Sequence, residues 1–143
     1  MNVALGALKA QLPAGGARDA ELREHLTSVQ RNLVALMGEV ACADSDAERF
    51  AASKFDRISP EDLARIDAAV AALEARGLKF DGWATPGANP RAAACDAASV
   101  TARRAERRLA ALPAHDRAVR PELRQFVNRL SDWLWLLARE SEQ

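Results

Sequence analysis

Apolar residues recur at helical spacing along most of the chain, and breakers divide them into five segments. The first spans about Asn2 to Leu12, with Val3, Leu5 and Leu8 apolar, and Pro13-Ala14-Gly15-Gly16 ends it. The second runs from near Arg18 to Cys42, carrying Leu22, Leu26, Val29, Leu33, Leu36, Met37 and Val40. Positions Ala43 to Ile58 are charged, lack a clean period and read as a long connection. Ser59-Pro60-Glu61-Asp62 then supplies an N-cap, a proline at the first helical position and an acidic third residue. Leu63, Ile66, Val70 and Leu73 form the stripe behind it, and Gly77 stops it. A turn-rich loop follows from Lys79 to Pro90, then a fourth helix to about Leu112 and a fifth from Pro121 to about Arg139. No alternating strand pattern is present, so the expectation is an all-α, five-helix bundle in a single domain covering 1–143.

The last two helices carry residues that a plain bundle does not require. On the fourth, Ala98, Thr101, Ala105, Leu109 and Leu112 share one face and are expected to pack inward. Arg103 and Arg107 then point almost directly outward, with Arg104 and Arg108 on one flank and Glu106 on the other. Each arginine pair is spaced i, i+4, so its guanidinium groups repel unless an anion or carboxylate lies between them. Taken alone, such a run reads as a solvated face. On the fifth helix, Leu123, Phe126, Val127, Leu130, Leu134 and Leu137 form the inward stripe, with Trp133 at its edge. Asn128, Asp132 and Trp135 fall on the opposite side. A tryptophan outside the core points to a ligand or a subunit contact. Two helices with such outward faces are what a site shared between subunits looks like.

Composition narrows the classes. Apolar residues make up 49% of the chain, aromatics only 5%, and tyrosine is missing, which favours helix. The formal net charge is zero, and no helix-turn-helix or aromatic-laced basic strand occurs, so a nucleic-acid partner is not expected. No apolar run reaches the ~20 residues of a bilayer span and no signal peptide opens the chain, so the expectation is a soluble cytoplasmic protein without a membrane partner. Cys42 and Cys95 lack CxxC or Cys/His neighbours and read as buried thiols, with no metal site.

RRAERRLAAL followed by FVNRLSDWLWLLAR resembles the C-terminal half of the PduO-type ATP:cob(I)alamin adenosyltransferases. Trp83-Ala84-Thr85-Pro86-Gly87-Ala88 is similar to that family's aromatic-x-x-PGG loop, and Asn2-Val3-Ala4-Leu5-Gly6 to the end of its DELN segment. The resemblance implies a five-helix bundle assembling as a homotrimer, with sites between subunits. It implies that Co(I) of a reduced corrinoid, cob(I)alamin, attacks the 5′ carbon of ATP, supplied with Mg2+, and that triphosphate leaves. Arg103 and Arg107 are the implied catalytic residues; Arg104, Glu106, Arg107, Arg108 and Asn128 the nucleotide contacts, with Glu106 orienting an arginine; and Trp83, Asp132 and Trp135 the corrinoid contacts. Stacked guanidiniums suit a polyanionic leaving group.

The resemblance also has gaps. The family opens with a Gly/Thr-rich segment that wraps the ATP phosphates and ends in an acidic residue before the position of Asn2; the match here starts after both. Its LHxAR run reads Cys95-Asp96-Ala97-Ala98-Ser99 in this chain. A shortened or divergent member is therefore expected, and the alternative is a non-catalytic trimeric bundle that binds corrinoid or a partner protein.

Overall fold

The computed structural model describes residues 1–79 and 82–143; positions 80 and 81 of the Lys79–Pro90 loop lie outside the described residues. Every regular element among them is helical. These are α1 (Asn2–Ala10), α2 (Ala17–Ala41), α3 (Ala47–Ala51), α4 (Pro60–Glu74), α5 (Pro90–Ala111) and α6 (Pro121–Glu140). Short 3-10 turns precede α3 and follow α5.

The expected count of five is corrected by α3, which lies inside the 43–58 stretch read as a connection. It is a single turn of five residues, too short to show a period, and its Phe50 stacks on Phe55 with ring centroids 6.0 Å apart. The five longer helices match the expected segments. The start of α4 follows the local chemistry read from the sequence. Ser59 Oγ accepts from the Asp62 backbone N–H at 3.2 Å, while the Ser59 N–H donates to Asp62 Oδ2 at 3.0 Å. Gly77, at φ +66°, carries the left-handed turn that follows α4, a conformation costly for other residues.

The core is built from leucines of α1 and α2, Ile58, the α4 stripe and nearly the whole inward side of α6. Phe126 is its largest fully buried side chain. Three expected details change. Met37 faces solvent and Ala35 takes the buried place on α2. Trp133 is not at an edge but only 3% exposed, stacked on His25 at 4.5 Å between centroids. On α5 the inward face is Ala92, Cys95, Ala98, Ser99, Ala102 and Leu109, while Thr101, Ala105 and Leu112 are half-buried. Small residues along that face let α5 lie close to both α6 and α1.

Two ion-pair clusters, each built on a largely covered carboxylate with more exposed arginines around it, fasten the ends. Glu39 of α2 receives hydrogen bonds from Arg120, whose Nη2 lies 2.9 Å from Glu39 Oε2, and Arg120 also donates to the Ile58 carbonyl at 3.0 Å. Arg57 joins the same carboxylate. At the opposite end, Glu140 is contacted by Arg18 and Arg76.

His25 titrates differently in the folded chain. Burial, and then the charge of Arg65, lower its pKa below 6.5. The unfolded chain therefore binds the proton more readily, so stability should be greatest above pH 6.5 and fall as pH drops through that value toward the folded pKa. Thermal melts at stepped pH should show this fall, and His25→Phe, which keeps an aromatic ring on Trp133, should flatten it. An unchanged pH profile in that variant would refute the assignment.

Candidate functional site along the α5–α6 seam

Helices α5 and α6 run antiparallel, and four side-chain hydrogen bonds cross between them or their caps. Asn89, the N-cap of α5, donates from Nδ2 to the Ser141 carbonyl at 2.8 Å, while its Oδ1 accepts from the Ala92 N–H at 2.8 Å. Arg139 Nη2 donates to Asp96 Oδ2 at 2.7 Å. Ser99 Oγ donates to the Ser131 carbonyl at 2.9 Å. Asn128 Nδ2 donates to Glu106 Oε1 at 3.0 Å. These contacts fix the register: Asp96 lies beside Arg139 at one end and Glu106 beside Asn128 at the other.

That register places the predicted residues. Glu106 is half-buried and accepts from Asn128; it does not orient an arginine, since no ion pair joins it to the run. Arg103, Arg104, Arg107 and Arg108 are exposed, and among the described residues none of them has an ion pair or side-chain hydrogen bond. Because the inward face of α5 is centred near Cys95 and Ala102, the arginine most nearly opposite it is Arg104, not Arg103 or Arg107. Arg103 and Arg107 instead share the flank of Glu106, at roughly 60° and 100° around the helix from it. Helical phase thus puts them on the flank of α5 nearer α6, although neither lines the depression beside Asn128. Arg104 and Arg108 lie about 160° to 200° away and face outward from the seam. A depression of about 320 Å3 sits beside this end, lined by Glu106, Arg124 and Asn128 among others.

Further along α6, Asp132 is half-buried, with its carboxylate 3.7 Å from Arg129 Nη1. Arg129 chiefly pairs with Asp67 of α4 at 2.8 Å, so it ties α6 to α4. Trp135 is 36% exposed, and the Arg139 guanidinium carbon lies 5.6 Å from its ring centroid. Asn128 and Trp135 are seven residues apart, or about 10 Å along the helix axis. Trp83 is 99% exposed, so one chain does not bring it together with Trp135.

Three residues of this face escape the sequence reading. The row Asn128, Asp132, Trp135 extends by one step to Arg139, at i+11, which is buried. Opposite it on α5, the same spacing runs through Asp96, Val100, Arg103 and Arg107. Val100 is 66% exposed and falls across from Trp135 in the register set by the two flanking hydrogen bonds. The repeated i, i+4, i+7, i+11 pattern was the available signal. Cys95, in the floor of the seam, is fully buried, and burial pushes its thiol pKa up to about 12, so it remains a thiol. Among the described residues no three His, Cys, Asp or Glu side chains gather as a metal-binding set, and no helix is long and apolar enough to cross a membrane.

A profile of the cobalamin adenosyltransferase family matches residues 1–141. The chain belongs to this family. It is 36% identical over 131 residues to the corrinoid adenosyltransferase PduO of Salmonella typhimurium, an alignment covering 92% of this chain and 38% of that protein. It is 34% identical over 125 residues to a corrinoid adenosyltransferase of Citrobacter freundii, covering 87% of this chain and 68% of the relative. The chain thus spans well under half of the Salmonella protein and about two thirds of that Citrobacter one. Its fold superposes on a variant PduO-type ATP:corrinoid adenosyltransferase from Lactobacillus reuteri complexed with cobalamin and ATP. The TM-score is 0.78 at 22% identity, over 99% of this chain and 72% of that one.

If the Glu106–Asn128 pair serves a site more than the fold, its loss should be mild. Glu106→Ala and Asn128→Ala should each lower unfolding free energy in urea by less than about 1.5 kcal/mol. Phe126→Ala, which empties the core, should cost about 3–5 kcal/mol in the same experiment.

Proposed function

We propose that this chain transfers the 5′-deoxyadenosyl group of ATP to the Co(I) centre of a reduced corrinoid, giving adenosylcobalamin. The observation that carries the reading is the placing of two chemistries along one helix seam, in the register set by its hydrogen bonds. Unpaired arginines beside the Glu106–Asn128 bond occupy one end, and Trp135 with Val100 opposite occupies the other, about 10 Å away. Such an arrangement suits a reaction in which one carbon sits between an anionic leaving group and a flat macrocycle. The relatives' names and the cobalamin and ATP bound by the Lactobacillus neighbour favour the same chemistry.

In the proposed reaction the Co(I) electron pair attacks the 5′ carbon, a Co–C bond forms, and the C–O bond to triphosphate breaks with its electrons passing to oxygen. Negative charge grows on the leaving group, and preorganised cations stabilise it most at that moment. Arg103 and Arg107, on the flank beside Asn128, are assigned that role, and Asn128 holds the nucleotide. Arg104 and Arg108 face too far around α5 to share a ligand with Asn128 of the same chain. They are assigned to nucleotide bound across an interface with a neighbouring copy. Mg2+ would enter with the phosphates, which suits its preference for phosphate oxygens and water.

Trp135, and Trp83 from a neighbouring copy, are proposed to wall the lower face of the corrin, keeping water and an axial ligand from cobalt, with Asp132 at the rim. A homotrimer acting in the cytoplasm is part of this proposal, because Trp83 needs a second chain to reach Trp135. The second reading, a non-catalytic corrinoid-binding bundle, draws support from Asp96 and Ser99. Their polar groups are committed to Arg139 and Ser131, and so do not serve a nucleotide.

An anaerobic assay with chemically reduced cobalamin and Mg-ATP separates the two. Adenosylcobalamin should form, and Arg107→Ala should reduce kcat by about a hundredfold while leaving the melting temperature nearly unchanged. Corrinoid binding without any product, insensitive to ATP, would favour the non-catalytic bundle. Light scattering should give a trimeric mass, with Trp83→Ala weakening corrinoid binding more than ATP binding.

A further inference from the structure

We infer that Asp96 and Arg139 are positioning residues that fix the Trp135 indole against the corrinoid, an inference resting on the adenosyl-transfer reading above. Arg139 is an unusual charge to find at the end of the seam. Its side chain is only 4% exposed, and its Nη2 donates both to Asp96 Oδ2 at 2.7 Å and to Glu142 Oε1 at 3.0 Å. Its Nε is buried without a hydrogen-bond partner. The guanidinium is therefore pinned at one corner by two carboxylates, while its carbon sits 5.6 Å from the Trp135 ring centroid. That distance lies within cation–π range, and a desolvated cation holds a ring face more strongly than an exposed one.

A structural pair alone would need only the two charges. Here the pair also fixes which way a partly exposed indole faces. Asp96 comes from α5 and Arg139 from α6, so the indole is referenced to both helices of the seam. Glu142 lies just beyond the end of α6. Loss of Asp96 would therefore leave Arg139 anchored only from its own side of the seam, and the guanidinium could turn away from the ring. The arginine run at the other end does not touch this arrangement, so the effect should be confined to the corrinoid.

The test uses the full chain labelled with 5-fluorotryptophan, whose three 19F resonances are assigned with Trp83→Phe, Trp133→Phe and Trp135→Phe. Asp96→Ala should shift or broaden the Trp135 line and leave the Trp83 and Trp133 lines in place. Asp96→Asn, which preserves volume, should do the same to a smaller degree and guards against loss of fold in the alanine variant. In the assay, Asp96→Ala should raise KM for the corrinoid about tenfold and leave KM for ATP within about twofold. Added to Trp135→Leu, it should produce no further rise in corrinoid KM, since its effect acts through that ring. A Trp135 line unmoved in both variants overturns the inference, as does an equal rise in both KM values. A parent chain that forms no adenosylcobalamin, in which the Trp135 line still moves, sinks the adenosyl-transfer reading and supports the hold on the indole.

Discussion

The constraint on which the rest of the structure depends is the seam between α5 and α6. Hydrophobic contact alone would let two such helices slide past each other, because alanine methyls offer little shape to lock against. Hydrogen bonds from Asn89, Arg139, Ser99 and Asn128 set a single antiparallel register along the whole length. Two of them, Ser99 to Ser131 and Arg139 to Asp96, involve side chains almost fully buried. There an unmade bond costs more than a made one contributes, which penalises every wrong register. The alignment of the two rows is a consequence: once Asp96 lies beside Arg139 and Glu106 beside Asn128, the residues between them are set in one register.

The seam also separates what the fold needs from what the site needs. Leu123, Phe126, Leu130, Leu134 and Leu137 point inward and hold α6 to the bundle, while Asn128 and Trp135 ride on the other side of the same helix. A rigid helix spaces them at a fixed interval and keeps them off loops. Arg108 gains from position as well, since it lies in the last turn of α5, where positive charge is favoured by the helix dipole.

Much of the fold was legible in the sequence because strong local chemistry agreed with hydrophobic pattern. Ser59-Pro60-Glu61-Asp62 announced the start of α4, and the leucine and phenylalanine spacing of α6 left one inward face. The face of α5 was harder to read. Alanines occupy nine of its positions between Ala92 and Ala111, so a wheel has little contrast, and its few large apolar residues mislead: Val100 is exposed and Leu112 only half-buried. The site was partly legible for the same reasons. Asn128 and Trp135 stood out against a clear stripe. Asp96 and Arg139 did not, because ordinary charged residues at helix surfaces carry no mark of the partner that buries them. The single turn of α3 left no period to detect.

Trp83 stands almost wholly in water, on a loop whose Gly82 and Gly87 both adopt positive φ. An indole of this kind holds on the order of 200 Å2 of surface. Covering it would release about 5 kcal/mol at the usual transfer value. Joining two molecules costs about 4–15 kcal/mol in lost freedom of motion, so that single side chain at best offsets the low end of the cost and leaves little to hold an assembly together. Its contribution is instead conditional: whatever else first brings a surface near it, substrate or second chain, gains an increment that the isolated chain never realises.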